Sequence, residues 1–423
     1  MIFIYRQEII QDITLFTNQP KAKFYSTLFL HLDVSPISKS AAKTGRKSQR
    51  IAMFCAFIVM KCEGFSQVSD LHDYLSNNLI IAYYCGFDIT QPLPSCSTFR
   101  RFIRKFDNQI LKSVMQSQVL KLAELGIIDT SFVGLDSTPV FANTRFNNPK
   151  SFSKSKSKST SDKDCCLGVR AASNQHNDRN YEFYHGYKNH VLSDCITGLP
   201  IFEITTTANI ADCTMALDIL SHTNQFLSIK ECTFIADKGY DVKSIYNTVK
   251  SVYNGECVIP LKQRKVKNLK LLPVGNPLCD AGLLMNKDGK DRSRNRLRQK
   301  FSCPLKHSND DAACPCNHPN YNRSPDRKSR GCVKKITLPD DYRLQIDRNS
   351  KEFKSIYALR TETERYNSRF KATGQERLWV RNGKSAANLN TIAHISLLAV
   401  AIAAVITQSK FSYRCLKSVK RVA

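Results

Sequence analysis

Ser350-Lys-Glu-Phe-Lys-Ser-Ile-Tyr-Ala-Leu-Arg-Thr-Glu-Thr-Glu-Arg-Tyr-Asn-Ser-Arg-Phe-Lys371 is the stretch on which the reading of this chain turns. Within it Tyr357, Arg360, Glu364 and Lys371 are spaced Y-x2-R-x3-E-x6-K. At about 100° per residue, a continuous helix would hold these four side chains within an arc of about 60°. One stripe would then carry a carboxylate flanked by two cations and a phenol. A carboxylate can hold a divalent metal, and the cations can hold phosphates on either side of it. That arrangement suits cutting or joining a phosphodiester backbone. Charge runs on helices are more often solvated faces closed by i,i+4 pairs, so the stripe needs support from the rest of the chain.

Composition supplies some of that support. The chain has 423 residues, enough for a large core and two or three structural units. Its formal net charge is +27, and such an excess attracts polyanions, nucleic acid first among them. No basic amphipathic helix of the interfacial kind is present, so no membrane partner is expected. The start, Met1-Ile-Phe-Ile-Tyr-Arg-Gln-Glu, lacks the pattern of a signal peptide, which points to a cytoplasmic location. The apolar run from Ala387 to Thr407 is interrupted by Asn388, Asn390, His394 and Ser396 and reads as a buried closing helix.

Residues 1–125 read as a helical region for DNA binding or dimerisation, with helices expected over Ser48–Cys62 and Val68–Ile81. After the prolines Pro92 and Pro94, Ser95 or Ser97 can cap a further helix. That helix puts Arg100, Arg101, Arg104 and Lys105 on one face and Phe99, Phe102, Ile103 and Phe106 on the other. It could contact DNA in the manner of a helix-turn-helix, or be a surface helix packed by its phenylalanines. Residues 126–261 change to α/β patterning. Phe132–Asp136 and Glu231–Asp237 are short apolar strands that each end in an acid. Between them, Tyr184–Leu192 and Leu199–Thr206 read as paired strands and Asp212–Leu227 as a helix. Val242–Val249 then reads as a helix and Glu256–Leu261 as a strand, while Pro149–Asp164 is a Ser/Lys-rich loop. Residues 262–345 form a basic, Cys-rich insertion with little periodicity, 346–410 resume the α/β unit, and 411–423 are a basic tail.

Asp136 and Asp237 stand at strand ends, and Glu364 stands on the stripe helix. Acids at the ends of neighbouring strands can converge although far apart in sequence. Three carboxylates without imidazole suit hard cations, Mg²⁺ or Mn²⁺, rather than zinc. Most strand-end aspartates are turn or cap residues. Here the order of the elements, strand-Asp, two strands, helix, strand-Asp, helix, strand, insertion, helix-Glu, makes the trio persuasive.

In these residues the chain resembles a DDE transposase of the bacterial insertion-sequence type whose last acid lies in a Y-R-E-K signature. The motifs are Gly134-Leu-Asp136-Ser-Thr, Gly186-Tyr-Lys-Asn-His190, Thr207-Ala-Asn-Ile-Ala-Asp212, Ala236-Asp237-Lys-Gly-Tyr-Asp241 and Tyr357/Arg360/Glu364/Lys371, across residues 45–405. The resemblance implies an RNase H-like mixed sheet flanked by helices. It implies Asp136, Asp237 and Glu364 as the Mg²⁺- or Mn²⁺-holding catalytic triad, and Tyr357, Arg360 and Lys371 as phosphate contacts. It further implies double-stranded DNA, both terminal inverted repeats and target, as substrate, a homodimer in the synaptic complex, and a place on the bacterial nucleoid. Lys238 and Lys188 are added as phosphate contacts because they neighbour the motifs, while the strand histidines His185 and His190 read as structural. Some relatives stack a tryptophan of the insertion on a flipped base. The only tryptophan here, Trp379, follows Glu364, and that role is not carried over. Two other readings share these residues: an RNase H-like nuclease without strand transfer, and a catalytically silent DNA-binding protein.

The insertion holds Cys279, Cys303, Cys314, Cys316 and Cys332, with His307 and His318 nearby. Four thiolates could close a zinc site, from Cys303, Cys332, one or both of Cys314 and Cys316, and Cys279. The Cys314-Pro-Cys316 spacing is not the usual C-x2-C. Reduced cysteines in a basic loop are the alternative.

Overall fold

The computed structural model describes residues 17–39, 49–144, 161–171, 181–262, 265–266, 269–270, 275–293, 296–307, 315–316, 331–337 and 342–408. In chain order the principal elements begin with seven helices: α1 (Pro20–His31), α2 (Ser35–Lys39), α3 (Arg50–Glu63), α4 (Val68–Asn77), α5 (Leu79–Cys85), α6 (Cys96–Lys105) and α7 (Asn108–Glu124). Next come β1 (Phe132–Phe141), β2 (Cys166–Ala171), β3 (Tyr181–Asp194), β4 (Pro200–Thr207), α8 (Ala216–Phe226), β5 (Thr233–Ala236), α9 (Lys243–Ser251) and β6 (Glu256–Val258). The insertion adds β7 (Lys265–Val266), β8 (Leu269–Lys270), β9 (Asn286–Ser293), β10 (Arg296–Ser302) and β11 (Val333–Thr337). The chain closes with α10 (Lys351–Ala358), α11 (Thr361–Phe370) and α12 (Gly383–Ile406).

These elements divide into two compact units, one of residues 1–130, 135–228 and 362–423, the other of 131–134 and 229–361. In the first unit α3 is apolar on every side and is buried almost throughout, as such a helix must be. It stops at Gly64, whose φ of 75° lets Gly64 N and Phe65 N donate back to Lys61 O and Met60 O. The helix expected over Val68–Ile81 is two helices, because Asn78 (φ −127°, ψ 71°) leaves the helical region between α4 and α5. Strand β3 pairs antiparallel with β2 along its first half and with β4 along its second. Gly186 in β3 is forced small: a Cβ there would stand 2.2 Å from Val140 O of β1.

Helix α12 closes this unit. By length and composition it could cross a membrane, yet 83% of its most apolar window is buried inside the protein. Its polar residues explain why they are tolerated there. Asn388 donates to Ile103 O and Phe106 O at the end of α6, Thr391 donates to Glu203 Oε1, and Asn390 donates to Thr205 Oγ1. His394 pairs with Asn189 Oδ1 at 2.8 Å and with the Tyr366 hydroxyl, and burial lowers its pKa to about 3, which keeps it neutral. Buried polar groups satisfied in this way fix the register of α12 against β3, β4 and α11.

In the second unit β5 runs parallel to β6, with α9 crossing over between them. Strand β1 is shared: Ser131–Gly134 belong to the second unit, where Thr233 N donates to Ser131 O, and the rest of the strand to the first. Along the hydrogen bonds the succession is β4-β3-β1 and β1-β5-β6. It is a mixed α/β fold with the RNase H-like strand order that the motif sequence implies. The insertion contains an antiparallel meander, β9-β10-β11. No strands were expected there. Sequences such as Asn286-Lys-Asp-Gly-Lys-Asp-Arg-Ser293 carry no apolar alternation, and the apolar side chains of this lobe sit mainly outside the strands. The Ser/Lys-rich loop falls largely outside the described residues.

Candidate active site

Asp136 is not at a strand end as expected: β1 runs on to Phe141, and Asp136 lies half-buried in mid-strand, just past Leu135 where the burial of the strand relaxes. Its Oδ1 accepts from Ser137 N at 2.9 Å, and its Oδ2 accepts from Asn367 Nδ2 at 2.9 Å. Asn367 is on α11, three residues after Glu364. Side chains at i and i+3 share a helix face, about 5–6 Å apart at Cβ. The bond to Asn367 therefore turns the face of α11 that carries Glu364 toward Asp136. The other atom of that amide, Asn367 Oδ1, is buried and has no hydrogen-bond partner. The carboxylate beside Nδ2 can only accept, so the amide orientation follows from chemistry. Glu364 itself is exposed.

Asp237 follows β5 directly, half-buried, and caps a single 3-10 turn, Lys238–Tyr240. Its Oδ1 accepts from Gly239 N at 2.6 Å. A Cβ at residue 239 would stand 2.6 Å from the same oxygen, so a larger residue there would push the Asp237 carboxylate out of its place. Lys262 Nζ donates to Gly239 O and its backbone N to Asp241 Oδ2, which tethers this loop to the end of β6. Lys238 points to solvent.

The single helix expected to carry the Y-R-E-K residues is broken. Helix α10 ends after Ala358, Leu359 N and Arg360 N bond three residues back to Ile356 O and Tyr357 O, and α11 starts at Thr361. Tyr357 stacks on Phe353, and the Arg360 guanidinium lies 5.7 Å from the centre of the Tyr357 ring, both within the second unit. Glu364 and Lys371 belong to the first unit. Lys371 opens a π-helical segment, Lys371–Gln375, that follows α11. Among the described residues no group of three or more His, Cys, Asp or Glu side chains is gathered closely enough to hold a metal ion.

Helix α6 forms as expected. Ser95 is its N-cap residue, although its hydroxyl pairs with Ser97 and Thr98 hydroxyls rather than with a backbone N–H. Phe99 and Ile103 are buried, and Phe57 of α3 packs against Phe99 and stacks on Phe102. Arg100, Arg101 and Arg104 remain exposed. His190 is buried and shares a 2.8 Å hydrogen bond with Thr206, and His185 is buried too, so both are structural. Lys188 is not a free phosphate contact, since it is paired with Asp212 at 3.0 Å and donates to Ile210 O.

In the insertion Cys279, Cys303 and Cys332 share one small core with Met285 and Phe301, and Cys316 packs against it. The Cys316 thiol lies 3.7 Å from Cys279 Sγ, and Leu283 N donates to Cys279 Sγ. Cys332 faces the other three, and burial together with those neighbours pushes its thiol up to about 12. Cys314 and His318, and the side chain of His307, lie outside what is described.

The fold is a mixed α/β one of RNase H-like strand order, with Asp136 on β1, Asp237 directly after β5 and Glu364 on α11. Residues 122–399 match the family model described as Transposase DDE domain, and residues 14–105 match Transposase domain (DUF772). The chain belongs to the DDE transposase family: it is a DNA transposase, an enzyme of DNA cleavage and strand transfer. Among solved structures, a piggyBac transposase synaptic complex with hairpin DNA is similar at 12% identity and a TM-score of 0.43, over 97% of this chain and 80% of that one. A Mos1 transposase paired-end complex with the left transposon end is 10% identical at a TM-score of 0.18, over 52% of this chain and 61% of that one. No curated protein matches.

Proposed function

We propose that this transposase cuts the ends of its own element and joins them to target DNA through Asp136, Asp237 and Glu364, with Mg²⁺ or Mn²⁺ held by these three carboxylates. The observation that carries this reading is Asn367, whose amide joins Asp136 to the helix of Glu364. Its buried Oδ1 is an acceptor left for a water of the metal shell. All-oxygen donors, open to solvent, fit hard cations. Such an ion supplies a nucleophilic oxygen at neutral pH and neutralises charge on the phosphate. Tyr357, Arg360, Lys371 and Lys238 would hold backbone phosphates, and two copies would synapse two ends of nucleoid DNA. The test is a labelled duplex from the element's flanks, incubated with protein and Mg²⁺, Mn²⁺ or EDTA. Nicking at the repeat boundary that requires the metal is expected. Recovery of joined product separates a transposase from a nuclease, and binding without any cut would leave a DNA-binding protein.

A zinc ion would be held by the thiols rather than the carboxylates: Cys279, Cys303 and Cys332 share one core with Cys316 packed against it, and a bound ion would have to draw these four closer than they stand. Four thiolates are the donor set of a closed structural site. Metal analysis of purified protein is expected to give one zinc per chain, lost in Cys316→Ser. Retention in that variant would reject this ligand set.

A further inference from the structure

The first unit holds a cleft of about 640 Å³ lined by Arg100, Arg101 and Arg104 of α6, by Trp379 and Arg381, and by Asn382 at the cap of α12. No acid lines it. Among the described residues none of the four arginines has a carboxylate within ion-pair distance. Guanidinium groups cannot shed their charge, so four of them facing one cleft without counter-charge call for a polyanion.

Trp379 makes the ligand more specific. It is 46% exposed although large and apolar, and it is the only tryptophan in the chain. Its backbone is fixed on both sides. Arg377 bridges to Phe141 and Leu378 N donates to Phe141 O, while Asn382 caps α12 by accepting from Ser385 N. The indole therefore stands on a fixed stretch of backbone among arginines, the combination that takes a nucleic-acid strand by base stacking and phosphate pairing. Within a duplex, away from its ends, stacked neighbours cover the base faces, so there the indole can stack only on an unpaired base. The cleft also lies within the ~300–1,000 Å³ range of sites that enclose small ligands, too small for a double helix.

We infer that this cleft binds a single-stranded stretch of DNA, with an unpaired base on Trp379 and the flanking phosphates on Arg100, Arg101, Arg104 and Arg381. Binding here needs no metal and no cleavage, so the inference stands or falls apart from the carboxylate triad.

Trp379 is its own reporter. The full chain in EDTA would be titrated with an oligothymidylate, and with a blunt duplex of mixed sequence as comparison, while indole emission is followed. The single strand is expected to quench the emission strongly and the duplex to leave it nearly unchanged. In anisotropy with labelled oligothymidylate, Trp379→Ala should weaken binding about 10-fold or more, with Trp379→Phe close to the parent. Arg101→Glu should weaken it and flatten its salt dependence. Equal quenching by the duplex, or unchanged affinity in a folded Trp379→Ala protein, overturns the inference.

Discussion

The Asp237→Asn protein is expected to fold and to bind element ends like the parent, yet to cleave them about 1,000-fold more slowly or not at all. Asparagine keeps the structural duty of this residue. Asp237 accepts a 2.6 Å bond from Gly239 N, and an amide oxygen caps such a turn as well as a carboxylate does. Alanine would lose that cap, at a cost of about 1 kcal/mol, and would confuse damage to the loop with loss of chemistry. What asparagine removes is the negative charge. Metal assistance to phosphoryl chemistry is worth several kcal/mol, and about 4 kcal/mol is a factor of ~1,000 in rate. Gel-shift binding in EDTA, a thermal melt and a cleavage time course in Mg²⁺ together check this. Parent-like cleavage by a folded Asp237→Asn protein would remove Asp237 from the triad. Loss of binding along with cleavage would mean that the Asp237-Lys-Gly loop serves DNA contact instead.

Much of this site is written in short-range signals. The strand that ends just before Asp237 and the helix around Glu364 are local signals and appear where their patterns put them, whereas β1 runs on past Asp136 to Phe141 and leaves that acid in mid-strand. What the sequence hid is of two kinds. The first is backbone detail: the period of 3.6 runs on through Leu359 and Arg360, but tightened i→i+3 bonds split the stripe into two helices there, much as Asn78 splits α4 from α5. The second is long-range contact. Asn367 falls only about 20° outside the arc of the Y-R-E-K side chains on an ideal helix, a signal that was available. Its meeting with Asp136, 231 positions away, was not. The same holds for Trp379 and Arg381 across from α6. The packing of Cys279 with Cys303 and Cys332 is likewise a long-range contact that no spacing rule gives. The meander of the insertion left no trace because its strands are charged on both faces.

Lys61→Met is expected to stabilise the protein at pH 7 and to destabilise it at pH 10. Lys61 sits on α3, 1% exposed, and its ammonium group has one hydrogen-bond partner among the described residues, Gln375 Oε1 at 2.8 Å. No carboxylate pairs with it, and burial lowers its pKa to about 7. In an unfolded chain the value is about 10.4. Between these values the unfolded chain holds a proton that the folded chain has shed, so stability rises with pH by about 1.4 kcal/mol per unit. The contribution is complete above ~10.4 and is lost as pH falls toward 7, a span of about 4 kcal/mol. Methionine removes this burden, but it leaves Gln375 Oε1 without its donor, a cost of about 1–3 kcal/mol. Near pH 7 the first effect exceeds the second, and near pH 10 the order reverses. Denaturant melts of parent and variant across pH 7–10 should therefore cross. Parallel curves would mean that Lys61 stays charged in the fold. The contact matters beyond stability, because Gln375 also donates to Asn390 of α12 and ends the π segment that begins at Lys371. A buried lysine that ties α3 to this segment holds in place the stretch that carries the last residue of the Y-R-E-K signature.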